Sequence, residues 1–246
     1  MEILGVIPAR YAATRFPGKP LTPLCGRPML HWVLRGCLNS RLVIRWIVAT
    51  DDERIAAYAR SRDVEAILTD PDLPSGTDRV WAAAQTTDAT HIINVQGDEP
   101  LMEAAAIDIL TTALLDRGCP TATLARQMDP DENPVDPNRV KVVIDDQGRA
   151  LYFSRSPIPY PRNAKAASAL GSRLHLGCYA YTREALSEWV SLPPHPLEQA
   201  EGLEQLRALA NGIPMAVGMV DMRLLAVDVP EDVPDVEAAL TARYQL

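Results

Sequence analysis

Apolar stretches alternate with amphipathic ones along the first half of the chain, as expected for parallel strands covered by helices. The apolar stretches predict strands at residues 3–7, 42–49, 64–68 and 91–95. The amphipathic stretches predict helices at residues 29–39, 52–61, 78–84 and 103–115. Ligands of such sheets bind beyond the carboxyl ends of the strands. We therefore expect the chemistry in the loops that follow Ile7, Ala49 and Val95.

The pattern changes near Thr121, where shorter apolar segments are joined by turns and by polar, proline-rich stretches. It predicts strands at residues 121–127, 139–144, 150–154 and 174–181, with a hairpin turn at residues 145–148. A helix at residues 197–210, strands at 215–220 and 224–227, and a closing helix from Asp232 complete the prediction. The fold class is α/β, and we interpret residues 1–246 as one domain. Residues 121–181 would form a strand-rich sub-lobe and a dimer contact.

Composition narrows the class of protein. The chain has 246 residues, 47% of them hydrophobic and 23% charged, which fits a globular protein with a sizeable core. Its apolar runs fall short of the roughly 20 residues of a membrane-spanning helix. Its first residues lack the positive flank of a signal peptide. We expect a cytoplasmic protein that begins at Met1 and has no membrane insertion.

Cysteine spacing and net charge each exclude a class of site. The four cysteines are scattered without a CxxC pair, so we expect thiols in a reducing cytosol instead of a zinc site or disulfides. A net charge of −8 argues against a nucleic-acid partner. Anionic small ligands remain compatible with it, because they need only a local group of cations.

Such a group follows the first predicted strand. Arg10, Arg15 and Lys19 fall within ten residues of one another and are separated by small residues, proline and glycine. A triphosphate carries about four negative charges and is bound by cations together with closely approaching backbone N–H groups. The glycine-rich Walker loop is absent, which argues against a P-loop ATPase or kinase. An ordinary basic surface loop is the alternative.

This segment carries a resemblance to a known family. IPARYAATRFPGKPL resembles the N-terminal signature of the 3-deoxy-manno-octulosonate (KDO) cytidylyltransferases. The likeness continues, in the family's order and spacing, through eight further blocks: IVATDDERI, PSGTDRV, IINVQGDEP, NRVKVV, ALYFSRSPIP, HLGCYAY, PLEQAEGLEQLR and VDVPEDV. Together they extend from Ile7 to about Val236.

The resemblance implies a fold and an activity. The fold would be a Rossmann-like nucleotidyltransferase three-layer sandwich, with a mostly parallel mixed central sheet and a smaller strand-rich dimerisation extension. The reaction would join the CMP moiety of CTP to KDO and release pyrophosphate, with Mg²⁺ as cofactor and a homodimer as the assembly. The activated sugar would serve lipopolysaccharide-type polysaccharide synthesis.

A carboxylate follows the strand predicted at residues 91–95. Asp98 stands in its exit loop and could hold Mg²⁺, a hard cation that prefers carboxylates, water and phosphate oxygens. Capping of the next helix is the alternative role. Asp228 stands similarly before Pro230, and the resemblance implies that Asp98 and Asp228 bind the magnesium jointly. The family usually reads VDTPED, whereas this chain has Val229 in place of the threonine. The resemblance thus makes four residues catalytic: Arg10, Lys19, Asp98 and Asp228.

The PSGTDR segment combines a turn with a helix start, at which Thr77 or Asp78 would be the N-cap. A simple helix cap is the alternative to a ligand-binding role. The resemblance implies that this loop recognises cytosine. The residues it assigns to CTP are Arg10, Arg15, Lys19, Ser75, Gly76, Arg79 and Gln96.

A further group is assigned to the acidic sugar. Arg155 could pair with a carboxylate, while a lone strand histidine such as His175 is more often structural. Glu201, Glu204 and Gln205 would share one face of the helix predicted at residues 197–210, for which a solvated face is the alternative. The residues that the resemblance assigns to KDO are Gln96, Arg155, His175, Tyr179, Glu201, Glu204 and Gln205.

Three other functions compete with this interpretation. A cytidylyltransferase for another acidic sugar, such as a sialic acid, would share the chemistry, although its relatives usually carry a different N-terminal pattern. A glycosyltransferase that consumes a nucleotide sugar would normally present an Asp-x-Asp motif where this chain reads QGDEP. A catalytically silent nucleotide-binding module would release no pyrophosphate.

Overall fold

The computed structural model describes residues 1–12, 16–163, 170–223, 225–227 and 229–246. These residues divide into two compact units, the first made of residues 1–108 and 223–246 and the second of residues 109–222. The strand-rich segment 121–181 falls within the second unit, and its role as a dimer contact stays a prediction.

Strands and helices alternate along the described chain. The strands are β1 (Ile3–Pro8), β2 (Pro23–Leu24), β3 (Arg27–Pro28), β4 (Arg45–Thr50), β5 (Glu65–Leu68), β6 (His91–Asn94), β7 (Thr121–Gln127), β8 (Lys141–Ile144), β9 (Ala150–Ser154), β10 (Arg173–Thr182) and β11 (Met215–Met219). The helices are α1 (Met29–Cys37), α2 (Glu53–Arg60), α3 (Gly76–Ala84), α4 (Ala104–Asp116), α5 (Arg183–Ser191), α6 (Pro196–Glu201), α7 (Gln205–Ala210) and α8 (Val233–Tyr244). Short 3₁₀ turns occupy Lys19–Leu21 and Pro230–Asp232. The predicted α/β class is confirmed.

Parallel strands form the sheet of the first unit. β1 pairs with β4 on one side and with β6 on the other, and β4 pairs in turn with β5. Leu4, Val6, Ile47 and Ile93 are fully buried, as the apolar runs predict for strands covered on both faces. The loops after β1 and β6 therefore leave the same edge of this sheet.

One strand of this sheet begins later than predicted. The pattern predicts a strand from Leu42, whereas β4 begins at Arg45. The backbone N–H groups of Arg41 and Leu42 donate to the Asp108 carboxylate, at 3.1 and 3.3 Å. Because the Asp108 carboxylate satisfies these two N–H donors, Arg41 and Leu42 do not have to pair with a neighbouring strand.

The second unit contains a mixed sheet. β7 pairs antiparallel with β10 and parallel with β11, while β8 pairs antiparallel with both β10 and β9. The predicted turn between β8 and β9 is confirmed, since Gly148 N–H donates to the Asp145 carbonyl at 3.0 Å. A register shift between Leu176 and Tyr179 bulges β10. Bulges of this kind redirect neighbouring side chains.

Two local predictions are wrong, and one helix was not predicted. Instead of one helix at residues 197–210, the chain forms α6 and α7, because Gly202 ends α6 in the left-handed conformation at φ +61°. No strand forms in the described part of the predicted strand 224–227, residues 225–227, and Leu224 lies outside the described residues. The pattern did not predict α5, whose N-cap Thr182 accepts from Ala185 N–H.

The cysteines and the helices can be compared with what composition predicts. Cys25, Cys37, Cys119 and Cys178 are thiols, and three of them are buried. None of the helices in the described part of the chain combines the length and apolar character needed to cross a bilayer.

Candidate active site

A cavity of about 320 Å³ opens at the carboxyl ends of β1 and β6. Two backbone hydrogen bonds carry the sheet register into the exit loops, from Ala9 N–H to the Ala49 carbonyl at 2.9 Å and from Gly97 N–H to the Pro8 carbonyl at 3.3 Å. The lining residues are Pro8, Ala9, Arg10, Phe16, Lys19, Pro20, Leu73, Pro74, Ser75, Gly76, Arg79, Gln96, Gly97 and Asp98. Its position at the edge of a parallel sheet agrees with the expected ligand site.

Two of the three predicted cations line this cavity. Arg10 is exposed, whereas the Lys19 side chain is 13% exposed. Gly18, at φ +73°, lets the chain turn back so that its N–H donates to the Tyr11 carbonyl at 2.8 Å. The third cation, Arg15, lies outside the described residues.

Asp51 and Arg54 anchor the loop that carries these cations. Asp51 accepts a hydrogen bond from Tyr11 N–H at 2.9 Å. The Arg54 guanidinium lies 3.8 Å above the centre of the Tyr11 ring and pairs with both oxygens of Asp52, at 2.9 and 2.6 Å. A stacked guanidinium of this kind stabilises the ring on which it rests. Tyr11, the residue after Arg10, is therefore tied to the end of β4 and the start of α2.

Lys19 and Asp98 form an ion pair in the cavity. The ammonium lies 2.6 Å from Oδ2 of Asp98 and 2.6 Å from the carbonyl oxygen of Val227. Val227 N–H in turn donates to the Asp98 carbonyl at 3.1 Å. Asp228, the next residue in the sequence, lies outside the described residues.

The turn assigned to cytosine begins α3. Its N-cap is Ser75, which corrects the prediction of Thr77 or Asp78. Ser75 has extended backbone angles, and its hydroxyl both accepts from Asp78 N–H at 3.2 Å and donates to the Asp78 carboxylate at 2.6 Å. The Ser75 hydroxyl thus satisfies the Asp78 N–H, one of the backbone donors that the first turn of a helix leaves unpaired. Gly76 is consequently the first helical residue and lines the cavity.

Arg79 lies on the same helix and is 2% exposed. Its guanidinium donates to the hydroxyl of Thr69. Burial lowers the pKa of Arg79, the Asp51 carboxylate opposes that effect, and the positive charge of Arg10 adds to it. The buried charge thus stands beside the cavity between carboxylates and a second cation.

Gln96 shares the cavity wall with Gly76. Its Nε2 donates to Oδ1 of the buried Asn94 at 3.0 Å, which orients the amide. A Cβ atom at Gly76 would lie 3.4 Å from Gln96 Oε1, an ordinary contact distance, so the Gln96 amide lies beside the start of α3.

His175, in the second unit, is held by a threonine. The Thr123 hydroxyl lies 2.9 Å from His175 Nε2 and 2.7 Å from the Cys178 carbonyl in the bulge of β10. Because a hydroxyl has one proton and the carbonyl can only accept, Thr123 donates to Cys178 and accepts from Nε2–H. Burial lowers the pKa of His175 to about 3, so the ring is neutral with Nδ1 as an acceptor.

Tyr179 lies beside this histidine, with ring centres 5.6 Å apart. Its hydroxyl donates to Gln205 Oε1 at 3.2 Å, and Gln205 is 3% exposed. Burial raises the pKa of Tyr179, to which the nearby charge of Glu204 contributes, so the phenol stays protonated. Nε2 of Gln205 is buried with no hydrogen-bond acceptor among the described residues.

Arg155 and Glu201 form the other end of the sugar-assigned group. Glu201 accepts from the Ser154 hydroxyl at 2.6 Å and from Arg155 N–H at 2.9 Å. The Arg155 guanidinium donates to the carbonyls of Pro137, Glu201 and Gly202. The guanidinium therefore connects two backbone segments, one at Pro137 and the other at Glu201 and Gly202.

The split of the predicted helix changes the relationship among three of these residues. Glu201 ends α6, Glu204 precedes α7, and Gln205 begins it, so they do not share the face of one continuous helix. Gly202 turns the chain between them. Glu201 faces Ser154 and Arg155, while Gln205 faces Tyr179.

Several residues that orient the candidate site were missed from the sequence. Asn94 ends β6 and stands two positions before Gln96, and in extended backbone this spacing places two side chains on one face, which could have revealed the contact. Thr123 is 52 residues from its partner His175, and Ser154 is 47 residues from Glu201. Local sequence patterns do not predict contacts between residues so far apart in the chain.

Comparisons with known proteins identify the family. The cytidylyltransferase family model matches residues 4–220. The 3-deoxy-manno-octulosonate cytidylyltransferase of Bdellovibrio bacteriovorus is 44% identical over 246 residues, covering 99% of each chain. Its counterpart in Syntrophobacter fumaroxidans is 46% identical over 244 residues, covering 98% of this chain and 97% of that protein.

Solved structures agree with the sequence relatives. A structure of CMP:2-keto-3-deoxy-manno-octonic acid synthetase complexed with CTP matches with a TM-score of 0.93 and 39% identity, covering 99% of this chain and 100% of that chain. A cytidylyltransferase from Leptospira borgpetersenii shares the fold at a TM-score of 0.63 and 16% identity, covering 98% of this chain and 87% of its own. The chain belongs to the family of 3-deoxy-manno-octulosonate cytidylyltransferases.

Proposed function

We propose that this protein transfers the CMP moiety of CTP to KDO and releases pyrophosphate. One observation supports the assignment above the others: every described residue assigned to CTP lines a single cavity at the edge of the parallel sheet. That cavity combines three cationic side chains, Arg10, Lys19 and Arg79, and one carboxylate with apolar side chains that include Phe16, Leu73 and Pro74. Polyphosphate needs the cations, and a base with its ribose suits the apolar wall.

The residues of the cavity divide the nucleotide among them. Arg10 and Lys19, with Arg15, stabilise the negative charge that builds on the phosphates during the reaction. Ser75, Gly76 and Arg79 read the base, with Gln96 alongside them. Because phosphoryl transfer depends mainly on positioning and charge neutralisation, these contacts supply most of what the reaction requires.

A magnesium site at Asp98 fits the chemistry of the residues present. Its carboxylate is 31% exposed and already faces a cation, the Lys19 ammonium. Hard carboxylate oxygens together with water and phosphate oxygens are the ligands that Mg²⁺ prefers. Asp98 and Asp228 would hold the ion, which when bound polarises phosphate oxygens and neutralises their charge.

The sugar residues orient the nucleophile. In the reaction the anomeric hydroxyl oxygen forms a bond to the α-phosphorus, the bond from that phosphorus to the pyrophosphate oxygen breaks, and the hydroxyl proton is released. Neutral His175 offers Nδ1 as an acceptor for a sugar hydroxyl, and Tyr179 is kept protonated beside it. The other residues proposed to contact KDO are Gln96, Arg155, Glu201, Glu204 and Gln205.

The setting of the enzyme is part of the proposal. The protein acts in the cytoplasm as a homodimer in which residues 121–181 form the contact between subunits. The activated sugar is suited to a later glycosyl transfer into a lipopolysaccharide-type polysaccharide. Light scattering of the purified protein measures the assembly, and a monomeric mass at assay concentration would remove the dimer from the proposal.

A pyrophosphate-release assay tests the reaction. The purified protein is mixed with Mg²⁺, one nucleotide from CTP, UTP and ATP, and one sugar from KDO, a sialic acid and a neutral hexose phosphate. We expect release with CTP and KDO together and background release with either alone. Preference for the sialic acid would indicate the related cytidylyltransferase, and equal use of the hexose phosphate would overturn the substrate class. Nucleotide binding without release would indicate a silent module.

A further inference from the structure

The Lys19 ammonium occupies a position that is suited to a metal ion. It contacts two oxygens, Oδ2 of Asp98 and the Val227 carbonyl, each at 2.6 Å. The Lys19 side chain is only 13% exposed, so little solvent reaches its charge. Both oxygens carry negative or partial negative charge, and a cation with oxygen ligands on two sides is the arrangement of an ion-binding position.

An ammonium and a divalent ion cannot both occupy this position. Mg²⁺ binds oxygen at about 2.0–2.1 Å, so an ion on Oδ2 of Asp98 would come close to a lysine nitrogen that contacts the same oxygen. Like charges at such a separation repel strongly where solvent is scarce. Lys19 therefore has to leave before a divalent ion binds Asp98 Oδ2.

The lysine side chain is built for such a displacement. Its backbone is fixed by the 3₁₀ turn Lys19–Leu21 and by the buried Pro20. The ammonium sits on a flexible four-carbon stem and can rotate about several bonds. A triphosphate in the same cavity offers new anionic partners, so the charge would not be left unpaired.

We propose that Lys19 serves as the built-in counter-ion of Asp98 in the nucleotide-free protein, and exchanges with the divalent ion when the triphosphate binds. The ion then binds weakly alone and strongly with the nucleotide, because the nucleotide removes its competitor. By reciprocity, the ion strengthens nucleotide binding by the same factor. This inference rests on the proposed metal site at Asp98.

The test measures binding of Mn²⁺, a spectroscopically visible substitute for Mg²⁺, by electron paramagnetic resonance of the free ion. Lys19→Met is compared with the wild type without nucleotide. We expect the variant to bind Mn²⁺ about tenfold more tightly, within the usual range of coupling between ligands. Arg10→Met is the matched control, since Arg10 lines the same cavity and loses the same charge. It should change the Mn²⁺ affinity by less than about threefold.

A second measurement adds a non-hydrolysable CTP analogue. In the wild type the analogue should raise the Mn²⁺ affinity strongly. In Lys19→Met the analogue should raise it less, by the same factor by which the substitution alone tightens Mn²⁺ binding without nucleotide. Thermal unfolding checks that each variant is folded at the assay temperature, and Lys19→Gln replaces the methionine variant if that variant is not.

Each remaining outcome contradicts the inference. Unchanged or weaker Mn²⁺ binding in Lys19→Met would show that the lysine does not compete with the ion. Equal tightening in Arg10→Met would reduce the effect to the general charge of the cavity. If Asp98→Asn bound Mn²⁺ as the wild type does, the metal site itself would lie elsewhere. The pyrophosphate assay remains a separate test of the reaction.

Discussion

The Thr123 hydroxyl lies 2.9 Å from Nε2 of His175 and thereby decides which nitrogen of the ring carries the proton. The same hydroxyl donates to the Cys178 carbonyl, so it accepts from the histidine. A neutral ring with Nδ1 unprotonated accepts a hydrogen bond from a sugar hydroxyl, whereas the other tautomer would donate one. Thr123 is thus a positioning residue for a side chain proposed to contact the sugar.

Replacing Thr123 by valine should disturb this tautomer. Without the hydroxyl, Nε2–H has no acceptor in the position that Thr123 occupies, and the ring should populate both neutral tautomers. We expect a shift of the ¹⁵N resonances of His175 and a KM for KDO raised by about tenfold, with the KM for CTP nearly unchanged. Thr123→Ser keeps the hydroxyl and should restore both readouts. A valine variant with the resonances of the wild type would contradict this role.

The low pKa of His175 predicts a pH-dependent stability. Burial lowers the pKa to about 3 from 6.5, so between these values the unfolded chain binds a proton that the folded chain does not. Stability is therefore fully present above about pH 6.5 and is lost as the pH falls. At about pH 5 the expected loss from this residue, relative to about pH 7.5, is about 2 kcal/mol.

Urea unfolding of the wild type and of His175→Gln at these two pH values isolates that contribution. The glutamine variant cannot take up the proton, so its free energy of unfolding should fall less on acidification. Because other groups titrate equally in both proteins, the difference between the two losses is the relevant quantity. A difference near zero would mean that the folded protein protonates His175 as easily as the unfolded chain does.

Replacing Asp98 by asparagine should abolish most of the turnover while leaving the fold intact. The amide keeps an oxygen that can face Lys19 but removes the charge that attracts a divalent ion. A loss of several kcal/mol of transition-state stabilisation corresponds to about 100-fold or more in rate. Pyrophosphate release measures the rate, and circular dichroism checks the fold.

Asp108→Asn is the control for this experiment. Asp108 accepts from the Ser40 hydroxyl and from the backbone of Arg41, and it does not line the cavity. This variant should lose stability and keep its turnover. Near-normal turnover in Asp98→Asn would remove Asp98 from the metal site.

Two glycines of the cavity should respond differently to alanine. A Cβ at Gly76 would lie 3.4 Å from Gln96 Oε1, an ordinary contact, whereas a Cβ at Gly97 would lie 2.9 Å from the Pro8 carbonyl oxygen. Gly76→Ala should therefore keep or gain up to about 1 kcal/mol of stability, since alanine favours the helix. It should nevertheless raise the KM for CTP, because the methyl group enters the cavity wall.

Gly97→Ala forces the end of β1 to move and should lower the melting temperature. Thermal unfolding combined with CTP kinetics separates the two variants. An unchanged KM for CTP in Gly76→Ala would exclude Gly76 from the surface that contacts the nucleotide. An undiminished melting temperature in Gly97→Ala would show that the loops after β1 and β6 can separate without cost.

The amino-acid sequence by itself determined the strands of the first unit and the residues at their ends. Apolar runs predict buried parallel strands, and the carboxyl ends of parallel strands lie at one edge of the sheet. Arg10 and Asp98, which follow two of these strands, could therefore be placed at that edge from the sequence. The order of its motifs indicated the family, and comparisons with known proteins confirmed it. These features follow from local sequence patterns, which can be recognised without the tertiary structure.

Only the tertiary structure decided how the side chains are held. Gly202 ends α6 in a left-handed turn, and Glu201, the last residue of that helix, accepts hydrogen bonds from Ser154 and Arg155, which lie 47 and 46 residues away in the chain. Lys19 finds Asp98 across 79 residues, and Thr123 finds His175 across 52. Hydrogen bonds between distant residues depend on where the backbone brings them. A pattern of neighbours therefore predicts which residues reach the candidate site, and the fold decides their partners, protonation and freedom to move.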